Sequence, residues 1–309
     1  MGPPASMNLV RRVTTQDIQA AAGNWSIEVT PSASARVDSF ASILAPRTTV
    51  NVTSLPRTDP FEAVAVAERL FSEGMRPVPH IAARSMRDKA QLGSLLDAFT
   101  KRAGVDEVLL VGGGASQPAG DFDSSLQILE SGVLQRHGIL HVGVSGHPEG
   151  SPDISDAAIR GALLAKTRLA RREGLNMYIA TQFCFEAQGV LEWERRVRDM
   201  GIELPIRVGI PGPATVQALL RFARLSGVGP SMRFISAQAH NIAKLMTVQS
   251  PDRLLADLSL GMAQDPECRI ERFHFYAFGG FAETAKYARA VADGAFQVRG
   301  DGGFDVTGL

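Results

Sequence analysis

The sequence has few cysteines and no long apolar run, and these two features exclude several classes of protein. Its 309 residues include only Cys184 and Cys268, too few for a disulfide framework or a thiolate metal site. No apolar stretch approaches the roughly 20 residues that span a bilayer. Residues 1–20 also lack the apolar core of a secretory signal. We therefore expect a soluble, cytoplasmic protein with no membrane partner.

An excess of charge of one sign is also missing. Lys+Arg and Asp+Glu number 32 each, and no basic run is interleaved with aromatic residues. We therefore expect no nucleic-acid partner. The six histidines contain no His-Glu-x-x-His pattern, and no metal site is expected. In contrast, hydrophobic residues make up 45% of the chain, which is enough to bury a sizeable core.

Apolar runs of strand length recur along the chain, and most are followed by a segment with helical periodicity. We predict strands at residues 25–29, 48–53, 76–81, 107–111, 139–144, 177–183, 205–210 and 272–278, with 232–236 as a competing position for the last. Amphipathic helical segments fall at residues 61–73, 88–102, 126–135, 190–200 and 216–225. The first seven strands begin about 25 to 40 residues apart, which is the size of a βα unit.

This alternation predicts an α/β fold, a (β/α)8 TIM barrel in a single domain. The barrel is expected to span residues 21–298, after an N-terminal lead-in at 1–20 and before a flexible Gly- and Asp-rich tail at 299–309. An open doubly wound sheet is the alternative. Its usual Gly-x-Gly-x-x-Gly after the first strand is absent, which favours the barrel.

One stretch, residues 141–153, joins a buried strand to a loop that cannot continue it. Two prolines and two glycines in its second half remove ladder donors and loosen the backbone. Ser155 then provides an N-cap for a helix predicted over residues 156–172. The loop carries His147, Glu149 and Asp153. It is either a catalytic loop or an ordinary connection with solvated polar residues.

In a barrel of this kind, chemistry takes place at the carboxyl ends of the strands. In the first strand Trp25, Ile27 and Val29 share one face, so Glu28 is expected to point into the barrel mouth. A carboxyl group there would have a raised pKa and could serve as a general acid, or it could be paired with a base. The same alternation in the sixth strand sends Gln182 inward, where its amide could bind a heterocycle edge or bond within the barrel.

Further residues at the strand ends have both a functional and a structural interpretation. His80 and His147 could contact a phosphate or flavin, or bond to backbone carbonyls. The run Gly112, Gly113 and Gly114 could form an anion nest, or it could be a flexible turn. Four phenylalanines could stack on a planar ring or belong to the core: Phe183, Phe185, Phe222 and Phe275.

Taken together, the segments resemble the methylenetetrahydrofolate reductase family over residues 24–294. The motifs that carry the resemblance are Ser26-Ile-Glu28 with Pro31, Val52-Thr53, Pro79-His80, Gly143-Val-Ser-Gly-His-Pro-Glu149, Thr181-Gln-Phe183, Ile210-Pro-Gly212 and His274-Phe-Tyr276. The resemblance implies a barrel that holds FAD at the strand ends. It also implies hydride transfer between FAD and the folate one-carbon unit, which interconverts 5,10-methylene- and 5-methyltetrahydrofolate, with NADH or NADPH as the electron donor or acceptor and a link to methionine biosynthesis.

The resemblance assigns roles to individual residues. Glu28 matches the general acid, Gln182 matches the residue that holds the pterin, and Phe222 and Tyr276 match substrate-binding positions. The flavin-binding positions comprise Thr53, His80, Gly112, Gly113, Gly114, His147, Glu149, Ser151 and Asp153, with Lys166 or Arg168 on the phosphate side. Tetrahydrofolate derivatives are the implied partners, and self-association into a homo-oligomer is common in the family.

The sequence also departs from the family pattern. The family's fourth strand ends in Arg-Gly-Asp, whereas this chain has Gly112-Gly-Gly114, so two charged side chains are missing. In the fifth loop the usual tyrosine and second histidine are replaced by His147 and Ser151. A flavin-free relative that transfers hydride directly from NAD(P)H is therefore one alternative, and a non-catalytic folate-binding barrel is another. A phosphate-binding lyase or aldolase would need a lysine in a strand or a metal cluster, and the predicted strands contain no lysine.

Overall fold

The computed structural model describes residues 11–54, 58–226 and 247–308 and shows a closed parallel barrel, as predicted. Eight strands form the barrel: β1 (Ser26–Val29), β2 (Thr49–Val52), β3 (Arg76–Ala82), β4 (Glu107–Val111), β5 (His141–Gly146), β6 (Asn176–Phe183), β7 (Ile206–Pro211) and β10 (Ile270–Tyr276). Their circular order is β1-β10-β7-β6-β5-β4-β3-β2. Two short antiparallel pairs are added, β8 (Ala214–Thr215) with β9 (Val248–Gln249) and β11 (Phe296–Val298) with β12 (Phe304–Val306).

Helices follow most of the barrel strands. In chain order the described helices are α1 (Thr15–Ala22), α2 (Pro31–Ser34), α3 (Glu62–Ser72), α4 (Lys89–Ala103), α5 (Ser125–Glu130), α6 (Val133–Arg136), α7 (Asp156–Glu173), α8 (Ala187–Asp199), α9 (Val216–Ser226), α10 (Asp252–Gln264) and α11 (Phe281–Ala292). Ser155 caps α7 as predicted, since its hydroxyl accepts from the Ala158 N–H at 3.3 Å. Within the described ranges, none of the helices is long and apolar enough to span a membrane.

The main core lies between the strands and the helices. Ile27 and Val29 on β1 are almost fully buried there, which leaves Ser26 and Glu28 on the barrel side. A smaller apolar cluster of Val78, Leu109, Tyr178 and Ala180 fills the inside of the barrel. On β1 the apolar residues therefore face the helices and the polar residues face the barrel interior, as predicted.

A buried ion-pair network lies inside the barrel near the amino ends of the strands. Glu107 on β4 contacts Arg207 on β7 at 2.5 Å and Arg76 on β3 at 3.1 Å. The Arg207 guanidinium also covers the Tyr178 ring at 3.4 Å. Gly143 leaves room for that ring, because a Cβ there would lie 2.5 Å from it. Paired charged side chains therefore fill the barrel interior near the amino ends of the strands.

Several predicted boundaries are wrong by a few residues. The single helix predicted over residues 126–135 is two short helices, because Gly132 adopts a left-handed φ of 66° between them. The last barrel strand is Ile270–Tyr276 and ends two residues earlier than predicted. The competing strand at 232–236 lies outside the described residues.

The two terminal segments contribute to the fold more than predicted. Helix α1 begins inside the expected lead-in, and Thr14 and Asp17 form a capping box at its start. The tail expected at residues 299–309 contains β12, which pairs with β11 and buries Phe304 to 1% exposure. Arg299 fixes this hairpin through ion pairs to Asp305 at 2.6 Å and to Asp252 at 3.1 Å. The tail that was predicted to be flexible therefore contains a strand paired with β11.

Candidate active site

Glu28 lies at the carboxyl end of β1 with its side chain 15% exposed. Its Oε2 atom is buried and has no hydrogen-bond partner among the described residues. Burial raises the pKa of Glu28 to about 7, although the nearby His80 acts in the opposite direction. No arginine or lysine in the described ranges forms an ion pair with it. A carboxyl group that titrates near neutrality can both hold and release a proton under ordinary conditions.

His80 on β3 lies close to Glu28 and is held by Asn51 on β2. The Asn51 Nδ2 atom is 3.2 Å from His80 Nε2 and can donate to it, which places the ring proton on Nδ1. Burial lowers the pKa of His80 to about 4; the Glu28 carboxylate opposes this shift and His274 adds to it. His80 is therefore a neutral hydrogen-bonding group at neutral pH.

His274 on β10 completes this group, and the sequence analysis did not single it out as a site residue. Its Nδ1 atom shares a 2.9 Å hydrogen bond with Ser26 Oγ, and its Nε2 atom lies 3.8 Å from Glu28 Oε2. Burial lowers the pKa of His274 to about 3, helped by the charge of Arg207. The sequence signal that could have identified His274 is its spacing of two residues from Tyr276. On a strand that adjoins β1, this spacing places both side chains on the inner face of the barrel.

An aromatic wall, defined as Phe183, Phe185, Phe222, Tyr276 and Phe278, lies beside this polar group. Phe183 is buried and packs edge-on against Tyr276 and Phe278, with ring centroids 5.3 and 5.0 Å apart. Phe222 and Phe278 have ring centroids 4.8 Å apart, and the Tyr276 hydroxyl donates to the Thr181 carbonyl at 3.0 Å. The Tyr276 ring is also 5.2 Å from the His274 ring, so the wall is continuous with the polar group.

The fourth phenylalanine considered for stacking, Phe275, is not part of this wall. It is fully buried on the outer face of β10. Its ring packs edge-on against Trp25 at 6.1 Å and against Tyr287 at 6.4 Å. Phe275 is therefore a core residue between the barrel and its helices.

A register irregularity in β6 alters the simple alternation predicted for Gln182. The pairing of β6 with β7 shifts between Ala180 and Phe183. There the Thr181 hydroxyl accepts from the Gly209 N–H at 2.8 Å and donates to the Gln182 carbonyl at 2.7 Å. Consequently Phe183, which the alternation placed on the outer face, packs against Tyr276. Gln182 is half-buried at the same strand end.

The triple glycine follows β4 and lies against the end of β3. Gly113 has a φ of 94°, and a Cβ on it would come 3.2 Å from the Cβ of Ala82. Gly112 has open space where a Cβ would point, and its carbonyl accepts from the Arg84 N–H at 2.9 Å. Thr53, at the end of β2, is buried, and its N–H donates to the Val29 carbonyl at 3.0 Å.

The fifth loop and helix α7 bring a buried cation to the same end of the barrel. Lys166 is 9% exposed, and in the part of the chain that the structure describes no carboxylate pairs with it. Burial lowers its pKa to about 8. His147 is close enough that the charge of Lys166, together with burial, lowers the histidine pKa. A buried cation without an acidic partner suits an anionic ligand such as a phosphate.

The other predicted residues in this region are more accessible. Arg168, two positions beyond Lys166 on α7, is exposed to solvent. Asp153 is also exposed, and its N–H donates to Ser151 Oγ at 3.3 Å. Glu149 is half-buried, and with His147 it lines a cavity of about 440 Å³ between α7 and α8. Among the residues described, no three His, Cys, Asp or Glu side chains are grouped as metal ligands would be.

Comparison with known proteins identifies the family of this chain. The model of the methylenetetrahydrofolate reductase family matches residues 48–278. A solved structure with a similar fold is that of an uncharacterized protein from Clostridium thermocellum that binds two copies of 5-methyl-5,6,7,8-tetrahydrofolic acid. The TM-score is 0.57 at 12% identity, over 88% of this chain and 98% of that one. Since the family match covers most of the sequence, the chain belongs to the methylenetetrahydrofolate reductase family.

Proposed function

We propose that this protein interconverts 5,10-methylene- and 5-methyltetrahydrofolate by hydride transfer. The observation that carries the proposal is Glu28, a buried carboxyl group with a pKa of about 7 at the mouth of a barrel of this family. Opening the methylene bridge requires a proton on the bridging nitrogen as the carbon–nitrogen bond breaks. A carboxyl group that is half protonated near neutrality is suited to provide it.

Folate as the substrate is supported by two observations. The family is named for this reaction, and the similar barrel from Clostridium thermocellum binds 5-methyltetrahydrofolate. We assign Gln182 to the pterin, because an amide can donate to and accept from the edge of one heterocycle. We assign Phe222 and Tyr276, both half-buried in the aromatic wall, to the flat faces of the substrate.

In the proposed step, Glu28 gives its proton to the bridging nitrogen and the ring opens to an iminium ion. Hydride then adds to the exocyclic carbon, which becomes the methyl group, and Glu28 is left as the carboxylate. His274 and His80 are both neutral at neutral pH, so they can form hydrogen bonds to Glu28 or to the substrate without adding a charge. In the reverse direction the carboxylate accepts the proton.

FAD would be the hydride carrier, and Lys166 supports this assignment. This buried ammonium group has no acidic partner in the described ranges and could neutralise a phosphate of the cofactor. We assign His147, Glu149, Ser151 and Asp153 to the same cofactor site, together with Thr53, His80 and the triple glycine. When bound, FAD would carry hydride between NADH or NADPH and the folate. Arg168 is exposed, so of the two candidate cations we favour Lys166.

A second function is favoured by one specific observation. The three glycines at the end of β4 present no charged group, while Glu28 remains in place. A protein that binds no flavin could therefore still protonate the folate, and the iminium carbon of the folate would take hydride directly from NAD(P)H. Such a protein would keep the substrate and the acid and differ only in the hydride donor.

The visible absorption spectrum of the purified protein, before and after addition of FAD, tests these alternatives. We expect a flavin spectrum that bleaches anaerobically with 5-methyltetrahydrofolate or with NAD(P)H. A colourless protein that ignores FAD and still turns over folate with NAD(P)H would establish direct transfer. A protein that is colourless and inactive with every combination would refute the proposed activity and favour a binding barrel.

A further inference from the structure

Phe278 has an unusual backbone conformation for a bulky residue. Its φ is 45°, and the next residue, Gly279, has a φ of 91°. The Gly280 N–H donates to the Ala277 carbonyl at 2.8 Å and closes a four-residue turn around them. Two central residues with positive φ are typical of a type I′ turn, in which the first position favours Asn, Asp or Gly. An aromatic side chain at this position is strained.

The strained backbone holds the Phe278 ring in the middle of the aromatic wall. Its ring is nearly parallel to Tyr276, at 27° and 6.2 Å, and tilted by 35° to Phe222 at 4.8 Å. Phe183 packs edge-on against the Phe278 ring, at an interplanar angle of 89°. Phe278 itself is half-buried.

The wall is adjacent to the proposed proton donor. Tyr276 contacts the His274 ring at 5.2 Å, and His274 in turn lies 3.8 Å from Glu28. The contacts from Phe278 to the acid therefore pass through two side chains, Tyr276 and His274. Backbone strain of this kind is concentrated at active sites and ligand-binding sites.

We propose that Phe278 is a specificity-determining residue that stacks on a planar aromatic ring of a ligand. This inference rests on the proposed function and names a residue for it. The ring would belong either to the folate or to the nicotinamide of the electron donor. Both are flat, conjugated groups that an aromatic face attracts by offset stacking.

The first test measures whether the turn is strained. Phe278→Gly and Phe278→Ala both remove the ring, but only glycine accepts the left-handed backbone without cost. We expect the glycine variant to melt about 2 to 4 °C above the alanine variant. The opposite order would show that the backbone is unstrained and would overturn the argument.

The second test measures ligand binding by calorimetry, with 5-methyltetrahydrofolate and NADH titrated separately into wild type, Phe278→Leu and Phe278→Tyr. Leucine keeps an apolar side chain and removes the stacking face, so we expect about tenfold weaker binding of one of the two ligands. Tyrosine keeps the ring and should restore the affinity. The ligand that responds identifies the stacked ring.

Arg47 provides a matched control, since it also has a positive φ, at 65°, and is exposed. It sits in a turn that the Thr48 N–H closes on the Ala45 carbonyl at 3.2 Å. Arg47→Gly should also melt above Arg47→Ala, with no change in either affinity. If wild type and Phe278→Leu bind both ligands equally well, the proposed role of Phe278 is wrong, but the proposed function is not affected. Wild type that binds neither ligand would refute the proposed function as well.

Discussion

The Nε2 atom of His274 lies 3.8 Å from the Oε2 atom of Glu28, and both atoms are buried without a hydrogen-bond partner in the described ranges. This separation is too long for a hydrogen bond. Buried polar atoms are nearly always paired in folded proteins, so both atoms can take part in a further hydrogen bond. Burial raises the pKa of Glu28 because no arginine or lysine within the described ranges compensates for its loss of hydration.

Replacing Glu28 with glutamine should abolish most of the activity and leave the fold intact. The amide has the same shape and cannot donate a proton to the bridging nitrogen. We expect kcat for methylenetetrahydrofolate reduction to fall about 100-fold or more. Steady-state kinetics with the purified variant measure this. Glu130→Gln, which changes an exposed carboxylate on α5, is the control and should be fully active. Wild-type turnover in Glu28→Gln would disprove the acid role.

The stability of the protein should depend on pH through Glu28. Its pKa is 4.5 in the unfolded chain and about 7 in the folded state, so the folded state binds more protons between these values. The contribution of Glu28 to stability therefore falls as pH rises through this window. Relative to Glu28→Gln, wild type should gain on the order of 3 kcal/mol between pH 7 and 4.5. Urea unfolding of both proteins at several pH values measures this difference.

His80 and His274 should act in the opposite direction. Folding lowers their pKa values from 6.5 to about 4 and about 3, so the unfolded chain takes up protons first as pH falls. Their contribution to stability is lost below pH 6.5. Both proteins keep the two histidines, so comparing wild type with Glu28→Gln at each pH isolates the titration of Glu28 together with its coupling to His80. A difference between the two proteins that stays constant with pH would contradict the raised pKa.

Replacing Lys166 with methionine should weaken cofactor binding while stabilising the protein. Methionine fills a similar volume and removes a buried charge that has no acidic partner among the residues the structure describes, so the melting temperature should rise. Affinity for FAD should fall by about tenfold or more, because a charge-assisted contact to phosphate is lost. Titration followed by flavin fluorescence gives the Kd. Arg168→Met on the exposed face of α7 should leave both properties unchanged; equal losses in the two variants would argue against the site.

Replacing Gly114 with aspartate should lower the reduction potential of bound FAD. The family has an aspartate at this place, and a negative charge near the flavin disfavours its reduced, anionic form. The expected change is about 30 mV, which equals 1.4 kcal/mol for a two-electron couple. Gly114→Asn, which adds the same volume without charge, is the control. A potential that is unchanged in Gly114→Asp would show that the missing charge has no effect.

The barrel and the position of Glu28 could be predicted because they depend on local patterns. Strand-length apolar runs at regular spacing specify βα units, and the alternation of Trp25, Ile27 and Val29 specifies which face of β1 meets the helices. These patterns act over a few residues and are read directly from the chain. The roles of the individual cofactor and substrate residues remain predictions that the experiments above test.

Other features were decided only by contacts between distant segments. The irregularity at Thr181 depends on a hydrogen bond from Gly209 and brings Phe183 into the aromatic wall, against the alternation of its own strand. Whether Lys166 or Arg168 is buried follows from how α7 packs on its neighbours.

The same is true of the tail. The Gly- and Asp-rich sequence of the tail has only a weak local preference for regular secondary structure. The hairpin of β11 and β12 forms because Phe304 is buried in the core and Arg299 forms an ion pair with Asp252. The repeating units and the face that each strand presents follow from the local order of residues, since both depend on short-range periodicity. Which side chains meet at the mouth depends on how the whole chain folds, because such contacts join residues more than a hundred positions apart, as Ser26 and His274 show.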